Sequence, residues 1–158
     1  MVDSYAGKRY EPERKAYPVT RKFMTRSFVK VYPDTDIWEV MDLFVKHKIT
    51  GAPVIDRSGR LLGMVSERDC LKLVANTTYD NQLTGGPVSD YMSTNPLTVG
   101  PDEGLNAVAQ LFLKHPFKRL PVIDRGRLVG VVTRRNVLTV MKKYHRHQQR
   151  HLTGVHRR

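Results

Sequence analysis

Apolar and polar residues divide the chain into strand-like and helix-like segments. Two short apolar runs, Pro53–Asp56 and Leu61–Val65, flank an Arg-Ser-Gly-Arg turn and predict a pair of buried strands. Before them, apolar residues recur at the i, i+3, i+4 spacing of an amphipathic helix over Asp36–His47. After them, Ser66 followed three residues later by an acid resembles a capping box and predicts a helix over Glu67–Val74. Strands that alternate with helices in this way predict an α/β fold.

This order of elements occurs twice along the chain. Pro53 corresponds to Pro121, an offset of 68 residues, and the offset falls to 67 after the turn because the second turn lacks a counterpart of Ser58. A length change that is confined to a turn is typical of tandem copies of one folding unit. Each copy is also predicted to begin with a strand, at Ser27–Val31 and at Leu97–Val99. The remaining elements predicted for the second copy are Glu103–Lys114, Leu120–Ile123, Leu128–Val132 and Arg134–Lys143.

Length and cysteine content limit the class of protein. A copy of about 60 residues is marginal for an independent core, so we expect the two copies to share one. The single cysteine, Cys70, excludes an internal disulfide and indicates a reducing compartment. The sequence has no apolar run near the roughly 18 residues of a spanning helix and no signal-peptide pattern. We therefore expect a cytoplasmic protein that does not enter a membrane.

Positive charge dominates the composition, with a net charge of +12 and a sequence pI of about 10.1. We interpret residues 1–19 and 144–158 as basic tails that are mobile or weakly docked. The last seventeen residues contain no acid and the following cations: Lys142, Lys143, Arg146, Arg150, Arg157 and Arg158. The tails predict either a solvated surface or a site for polyanions such as nucleic acid, and solvated charge is the simpler interpretation.

Motifs that carry catalysis are missing from the sequence. There is no Gly-x-Ser-x-Gly elbow, no Walker loop and no His-Glu-x-x-His metal motif. His47 and His115 occupy matching positions near helix ends, where a cation suits the helix dipole. The histidines of the C-terminal tail lack residues that would orient them around a metal. We therefore predict no enzyme activity, no catalytic residue, no metal site and no cofactor.

The start of the predicted helix after Leu61–Val65 is the strongest candidate for a ligand site. A helix N-terminus offers free amide N–H groups and a positive dipole end to a phosphate. The Asp69 carboxylate can accept two hydrogen bonds from the adjacent hydroxyls of a ribose. The alternative is that Ser66 and Asp69 form only a capping box, worth about 1 kcal/mol to the helix. On the residues of this segment alone, the capping box is the favoured interpretation.

The complete order of motifs resembles that of a known family. Each copy has Met-Thr or Met-Ser, an extended segment, Pro-Asp, a helix, a Pro-Val-Ile-Asp strand and a Gly-containing strand, followed by Ser-x-x-Asp in the first copy and Thr-x-x-Asn in the second. This order, over residues 20–142, is similar to the CBS domain, named after cystathionine β-synthase. Two such domains in tandem resemble a CBS pair, or Bateman module. The first repeat would span residues 20–80 and the second residues 85–143.

The resemblance implies an architecture and a mode of assembly. Each repeat would be a β-α-β-β-α unit, and the two units would pack through their sheets about a pseudo-twofold axis. In the family, two pairs stack their helices into a disc, here those over Asp36–His47 and Glu103–Lys114, so we expect a homodimer. The chain would be a stand-alone regulatory protein that senses a ligand and acts on another, unknown protein.

The resemblance also assigns residues to an adenine nucleotide (AMP, ADP or ATP), with S-adenosylmethionine as another possible ligand. The Ser/Thr-x-x-Asp window of one repeat would hold ribose and phosphate, and basic residues of the other repeat would reach the phosphates. The loop before Pro53 would form a wall for the base. The residues assigned in this way are Thr50, Gly51, Ala52, Ser66, Asp69, Lys118, Arg119 and Arg135. An arginine such as Arg119 offers a planar fork of donors that a lysine would not reproduce.

The second repeat departs from this pattern. Thr133 keeps the hydroxyl, but Asn136 replaces the acid, so the charge that strengthens ribose contacts is absent. The loop that would face this half-site carries no basic pair. We therefore predict one strong site and a weaker second site at Thr133 and Asn136. The predicted function is a regulatory module that binds an adenosine nucleotide, and the alternative is a nucleic-acid-binding protein that uses its basic tails on a dimeric CBS scaffold.

Overall fold

A computed structural model of the protein describes residues 17–75 and 84–153. Four helices occur within these residues: α1 (Ile37–His47), α2 (Glu67–Ala75), α3 (Leu105–Lys114) and α4 (Arg134–Thr153). Five strands occur there as well: β1 (Gly51–Ile55), β2 (Leu61–Ser66), β3 (Ser93–Thr94), β4 (Arg119–Asp124) and β5 (Arg127–Thr133). The order helix, hairpin, helix occurs twice, which confirms the predicted α/β class and the tandem repeat.

An antiparallel hairpin lies at the centre of each repeat. β1 pairs with β2, and β4 pairs with β5, with one register shift at the same position of each hairpin. The turns place Gly59 at φ +87° and Gly126 at φ +78°, a left-handed conformation that glycine adopts without strain. In the first turn, Asp56 accepts hydrogen bonds from the Ser58 hydroxyl and the Arg60 amide, which lower the pKa of Asp56. The two hairpins are therefore built alike, although their turns differ in length.

The predicted first strands of the two repeats, Ser27–Val31 and Leu97–Val99, are wrong. In each case only the last residue joins the sheet, as a single parallel bridge from Val31 to β1 and from Val99 to β4. A proline, which lacks an amide N–H, follows within two residues of each bridge, so the pairing does not continue toward the helix. Each sheet therefore has a shorter edge than the alternating pattern predicts.

The segment that leads into each repeat pairs with the sheet of the other repeat. We define the lead segments as residues 20–26 and 88–94, which correspond by the offset of 68 residues. β3, at the end of the second lead segment, pairs with β2 of the first repeat. Thr25 of the first lead segment pairs in turn with Val131 in β5. The exchange is reciprocal, as a pseudo-twofold relation between the repeats requires.

Two hydrophobic clusters form the core, and each contains residues of both repeats. The first cluster packs α1, β1, β2 and α2 against Val88, Tyr91 and Met92 of the second lead segment. The second cluster packs α3, β4, β5 and α4 against Phe23 and Met24 of the first lead segment. Instead of the single core that was expected, two cores are completed crosswise, because a repeat of this size cannot cover its own sheet.

Helix α4 is longer than the sequence predicts. It continues to Thr153 rather than ending at Lys143, so residues 144–153 are helical and do not form the predicted mobile tail. No proline or glycine interrupts this stretch, and its Arg and Gln residues favour a helix. The basic residues before residue 154 are therefore held on a helix rather than on a flexible chain.

The N-terminal side of the fold is also more ordered than predicted. Pro18, assigned to the N-terminal tail, accepts a hydrogen bond of 3.2 Å from the amide of Leu105 at the start of α3. Val88, near the start of the second repeat, is fully buried. Residues 1–16 and 154–158 of the predicted tails, and residues 76–83 around the boundary of the repeats, lie outside the described residues.

Substituting alanine for Gly63 or Gly130 should destabilise the protein. A Cβ atom at Gly63 would lie 2.9 Å from Met92 Sδ. A Cβ atom at Gly130 would lie 2.6 Å from Met24 Sδ. Both changes overpack the points where the lead segments cross the sheets, so the free energy of unfolding should fall by about 1–3 kcal/mol in a urea titration. Gly100→Ala is the control, since its Cβ would make only ordinary contacts at 3.8–4.0 Å, and an equal loss there would contradict the prediction.

Candidate functional site

A cleft with a volume of about 610 Å³ opens between the two repeats. One side is formed by residues 50–51, the end of β2 and the first turn of α2, all in the first repeat. The other side is formed by residues 93–97 and by residues 116–119 at the start of β4, all in the second repeat. A concave space of this size, shared by two packed units, suits a small-molecule ligand.

The first turn of α2 contains the predicted capping box. Ser66 donates from its amide and its hydroxyl to Asp69 Oδ2, at 2.8 and 3.0 Å, and the Asp69 amide donates to Ser66 Oγ at 3.3 Å. Asp69 is only 6% exposed, yet it lines the cleft. The cap uses Oδ2 alone, so the capping-box prediction is confirmed while Oδ1 of the same carboxylate is left for other partners.

Lys72 is the partner of this second oxygen. Its Nζ lies 2.7 Å from Asp69 Oδ1 and 3.4 Å from the carbonyl oxygen of Tyr91 in the second lead segment. The lysine also lines the cleft. The motif-based prediction missed Lys72, although its i, i+3 spacing from Asp69 on a helix is a signal that could have identified the pair. A carboxylate oxygen has two lone pairs, so Oδ1 can still accept a further hydrogen bond.

Arg119 lies across the cleft from α2, at the start of β4. Its Nη2 donates to Thr50 Oγ1 at 3.3 Å, which joins the two repeats. Its Nε is buried and has no hydrogen-bond partner among the described residues. Burial lowers the pKa of Arg119, and the carboxylate of Glu67 on the opposite wall works against this shift. A buried, charged donor without a partner is unfavourable, so the guanidinium is suited to an anionic ligand.

The other residues assigned to the site divide into two groups. Thr50, Gly51 and Lys118 line the cleft, whereas Ala52 is 1% exposed in β1 and does not. Arg135 is exposed on the first turn of α4 and also does not line it. The offset of 67 residues places Arg135 at the position equivalent to residue 68, so it belongs to the opposite half of the pair. The structure therefore separates Arg135 from the two basic residues that precede Leu120.

The cleft also has an apolar wall that the motif-based prediction missed. It consists of Met64, Pro96, Leu97, Pro116 and Phe117. The Phe117 ring is 45% exposed and stacks on the ring of His115, with 5.7 Å between their centroids. An aromatic residue placed directly before a basic pair is a signal that could have indicated this wall. A planar base could pack here, because a partly exposed ring offers stacking surface.

The equivalent helix start in the second repeat has the same cap but a different chemistry. Asn136 Oδ1 accepts from the Thr133 amide at 2.8 Å and from its hydroxyl at 2.9 Å. Asn136 Nδ2 donates to Thr25 Oγ1 at 3.3 Å. The side chain thus uses both of its ends inside the protein, whereas Asp69 uses one oxygen for its cap. No carboxylate is present at this position to bind a pair of ribose hydroxyls.

Two classes of feature are not found in the described part of the chain. No group of three or more His, Cys, Asp or Glu side chains within residues 17–75 and 84–153 is arranged to hold a metal ion. Among the helices described, none has the length and apolar content needed to cross a membrane.

Residues 19–76 and 88–143 match the family model of the CBS domain. These two segments include all the helices and strands given above except the end of α4. The matched segments thus coincide with the two repeats that the offset defines.

Several known proteins are similar to this chain. A protein of Methanocaldococcus jannaschii named MJ1426 is 32% identical over 143 residues, which cover 72% of this chain and 85% of that protein. Inosine-5′-monophosphate dehydrogenase of Aquifex aeolicus is 34% identical over 119 residues, but the chain spans only 23% of its length. The chain spans 39% of another similar M. jannaschii protein. It is therefore similar to most of a short protein and to parts of longer ones.

A solved structure is similar to the chain over its whole fold. The crystal structure of CBSX2 in complex with AMP, from Arabidopsis thaliana, has a TM-score of 0.73 and 36% sequence identity. The match covers 81% of this chain and 98% of that chain.

Replacing Arg119 should leave the ligand-free protein as stable as before or more stable. Arg119→Met removes a buried donor that has no partner and keeps most of the apolar stem, so the urea midpoint should stay the same or rise. Arg127→Met, at the exposed start of β5, is the matched control and should change the midpoint little. A large loss of stability in Arg119→Met alone would show that the guanidinium supports the fold and would contradict the prediction.

Proposed function

This chain belongs to the CBS-domain family, and we propose that it is a regulatory pair that binds an adenosine nucleotide in the cleft between its repeats. The observation that carries the proposal is the pairing, across one cleft, of an available acceptor on Asp69 with the unpartnered donor of Arg119. The first suits ribose hydroxyls, and the second suits a phosphate. The AMP complex of CBSX2, a relative of 36% identity, supports the choice of an adenosine ligand.

The ribose, the phosphate and the base of the ligand each contact a different region of the cleft. Asp69 accepts hydrogen bonds from the ribose, as acidic residues do in dinucleotide-binding folds. The phosphate lies where the positive end of α2 meets Arg119 and Lys118, because a helix N-terminus and two cations together stabilise an anion. The base packs against the apolar wall beside Phe117. Each part of the nucleotide thus meets a surface of matching chemistry.

Lys72 competes with the ribose for Asp69. Its ammonium group donates a hydrogen bond of 2.7 Å to Asp69 Oδ1. A ribose must share that oxygen or displace the ammonium, and a displaced Lys72 becomes available to the phosphate. We therefore expect binding to change the contact between Lys72 and the Tyr91 carbonyl in the lead segment.

The charge of the cleft selects among adenosine ligands. Arg119 and Lys118 favour ligands with phosphate, and affinity should increase with phosphate number as far as Glu67 on the opposite wall permits. S-adenosylmethionine carries a sulfonium cation and an ammonium group, and its one carboxylate offers Arg119 and Lys118 less negative charge than a phosphate does. We propose AMP, ADP or ATP as the ligand in preference to a sulfonium compound.

Regulation, and not chemistry, is the proposed outcome of binding. The cleft senses the nucleotide, and the signal passes to a partner protein through the pair. We further propose a homodimer, because α1 and α3 expose apolar residues at equivalent positions. Val45 and Leu113 are each 81% exposed, and Leu71 and Leu138 on the other two helices are each 65% exposed. Apolar residues repeated on several helix faces are typical of a protein–protein interface.

Replacing the acid of the first repeat with an amide should weaken nucleotide binding, whereas removing the amide of the second repeat should not. Asp69→Asn retains the cap, as Asn136 does in the second repeat, but loses the carboxylate, so nucleotide affinity should fall by about tenfold or more. Asn136→Ala should leave the affinity unchanged. Isothermal titration calorimetry with AMP, ADP and ATP, together with urea titrations to confirm folding, measures both effects and should give one nucleotide per wild-type chain.

Two results would contradict the proposed site. If Asn136→Ala abolishes binding while Asp69→Asn has no effect, the nucleotide binds in the other half of the pair. If no adenine nucleotide binds the folded wild-type protein, Ser66 and Asp69 act only as a capping box.

Charged substitutions on the exposed helix faces should separate the homodimer. Val45→Glu with Leu113→Glu places two acids on the apolar surface, so light scattering should report 18.2 kDa chains instead of pairs. Lys46→Gln with Lys114→Gln, one residue further along the same helices, is the control and should remain paired. A wild-type protein that is monomeric at micromolar concentration would contradict the proposed assembly.

A further inference from the structure

Helix α4 continues well beyond the unit that the two repeats share. The equivalent helix α2 ends at Ala75, which corresponds to Lys142 by the offset of 67 residues. The match to the CBS family model ends at residue 143, whereas α4 continues to Thr153. We call residues 142–150, the basic part of α4 at and beyond this boundary, the extension; it does not line the nucleotide cleft.

The charge of α4 is entirely positive. The helix contains no Asp or Glu and carries these cations: Arg134, Arg135, Lys142, Lys143, Arg146 and Arg150. Three of them, Lys142, Arg146 and Arg150, follow each other at i, i+4 spacing and share one face. With a rise of about 1.5 Å per residue, neighbouring charges along this stripe are roughly 6 Å apart.

This arrangement is unfavourable for the helix by itself. Like charges at i, i+4 spacing repel each other, and Arg134 and Arg135 lie at the positive end of the helix dipole. Helix α2 has the opposite arrangement, with Glu67 and Asp69 in its first turn and Lys72 in its last. The positive charge of α4 is therefore not a property of the repeat unit, and a polyanion would remove the repulsion.

The extension is exposed and is fixed in direction. The side chains of residues 145–150 are exposed, and Tyr144 packs against Tyr17 with 5.0 Å between ring centroids. Earlier in the helix, Val137 is buried in the second core cluster and Val140 packs against it. Because the helix is anchored at these residues, its basic stripe is presented as a rigid row.

A bilayer is a poor partner for this row. From residue 145 to residue 150 the side chains are His, Arg or Gln, so the extension offers no apolar face to insert between lipids. A nucleic-acid backbone suits it better, because phosphodiesters repeat a single negative charge along a strand and the major groove of a duplex admits an α-helix. Gln148 and His147 add hydrogen-bonding groups beside the cations.

We propose that the extension of α4, residues 142–150, binds the phosphodiester backbone of nucleic acid. This is a second binding surface, separate from the nucleotide cleft. It rests on the charge and exposure of α4 and does not depend on the relatives described above. Its recognition is of the backbone, so affinity should depend strongly on salt and little on base sequence.

The test compares two variants that lose the same charge. Lys142→Gln, Lys143→Gln, Arg146→Gln and Arg150→Gln together neutralise the extension with a residue that keeps helix propensity. Arg57→Gln, Arg60→Gln, Arg125→Gln and Arg127→Gln together remove an equal charge from the two hairpin turns. Fluorescence anisotropy measures binding to a labelled duplex and a labelled single strand of about 20 nucleotides, at salt concentrations from about 50 to 200 mM.

We expect the wild type and the hairpin variant to bind, and the α4 variant to bind at least about tenfold more weakly. For the duplex, the slope of log K against log salt should become less negative by about 0.9 for each phosphate contact removed. Asp69→Asn should bind nucleic acid like the wild type, which separates failure of this proposal from failure of the proposed nucleotide site.

Three results would overturn the proposal. The first is the absence of binding at the lowest salt concentration. The second is an equal loss in both charge variants, which would indicate attraction to net charge alone. The third is tighter binding to phosphatidylserine vesicles than to either nucleic acid, which would assign the extension to a membrane surface.

Discussion

The crosswise packing of the two lead segments is the constraint on which the cleft depends. Met92 crosses β2 at Gly63, and Met24 crosses β5 at Gly130, at distances where no Cβ atom fits. Because β3 pairs with the sheet of the first repeat, the residues that follow it, 95–97, face the first turn of α2. A glycine in the middle of a buried strand normally weakens that strand. Here it is required at both crossings, since only glycine allows the methionine of the other repeat to approach.

The same capping motif serves two purposes in one chain. In both repeats a hydroxyl and a side-chain oxygen close the first turn of a helix, so the local structure is equivalent. The two caps differ in the side-chain atom that does not take part in the cap. Asp69 keeps a charged oxygen at the cleft, and Asn136 commits its amide group to Thr25. A change from acid to amide therefore preserves the cap of the helix while it removes the carboxylate that the proposed ribose contact uses.

The cleft contains one unfavourable polar group. Arg119 Nε is buried without a partner among the described residues, whereas Lys72 forms an ion pair with Asp69. In the proposed nucleotide complex a phosphate would partner the Arg119 donor, and a ligand that binds only the folded state stabilises that state. Under this proposal, ligand concentration would change the stability of the protein and the contacts of its second lead segment.

The sequence by itself determined the repeat, the two hairpins, the helix positions within about two residues except at the end of α4, and the capping box of α2, because these depend on residues close together in the chain. It also identified Lys118 and Arg119 as a basic pair. Only the tertiary structure decided which groups meet, since Arg119 reaches Thr50 across 69 residues and Asn136 reaches Thr25 across 111. The shortened first strands, the apolar wall, the separation of Arg135 from the cleft and the burial of Ala52 follow from such distant contacts. No local pattern specifies them, because whether a polar atom is paired, buried or open to a ligand depends on packing between elements that are far apart in the chain.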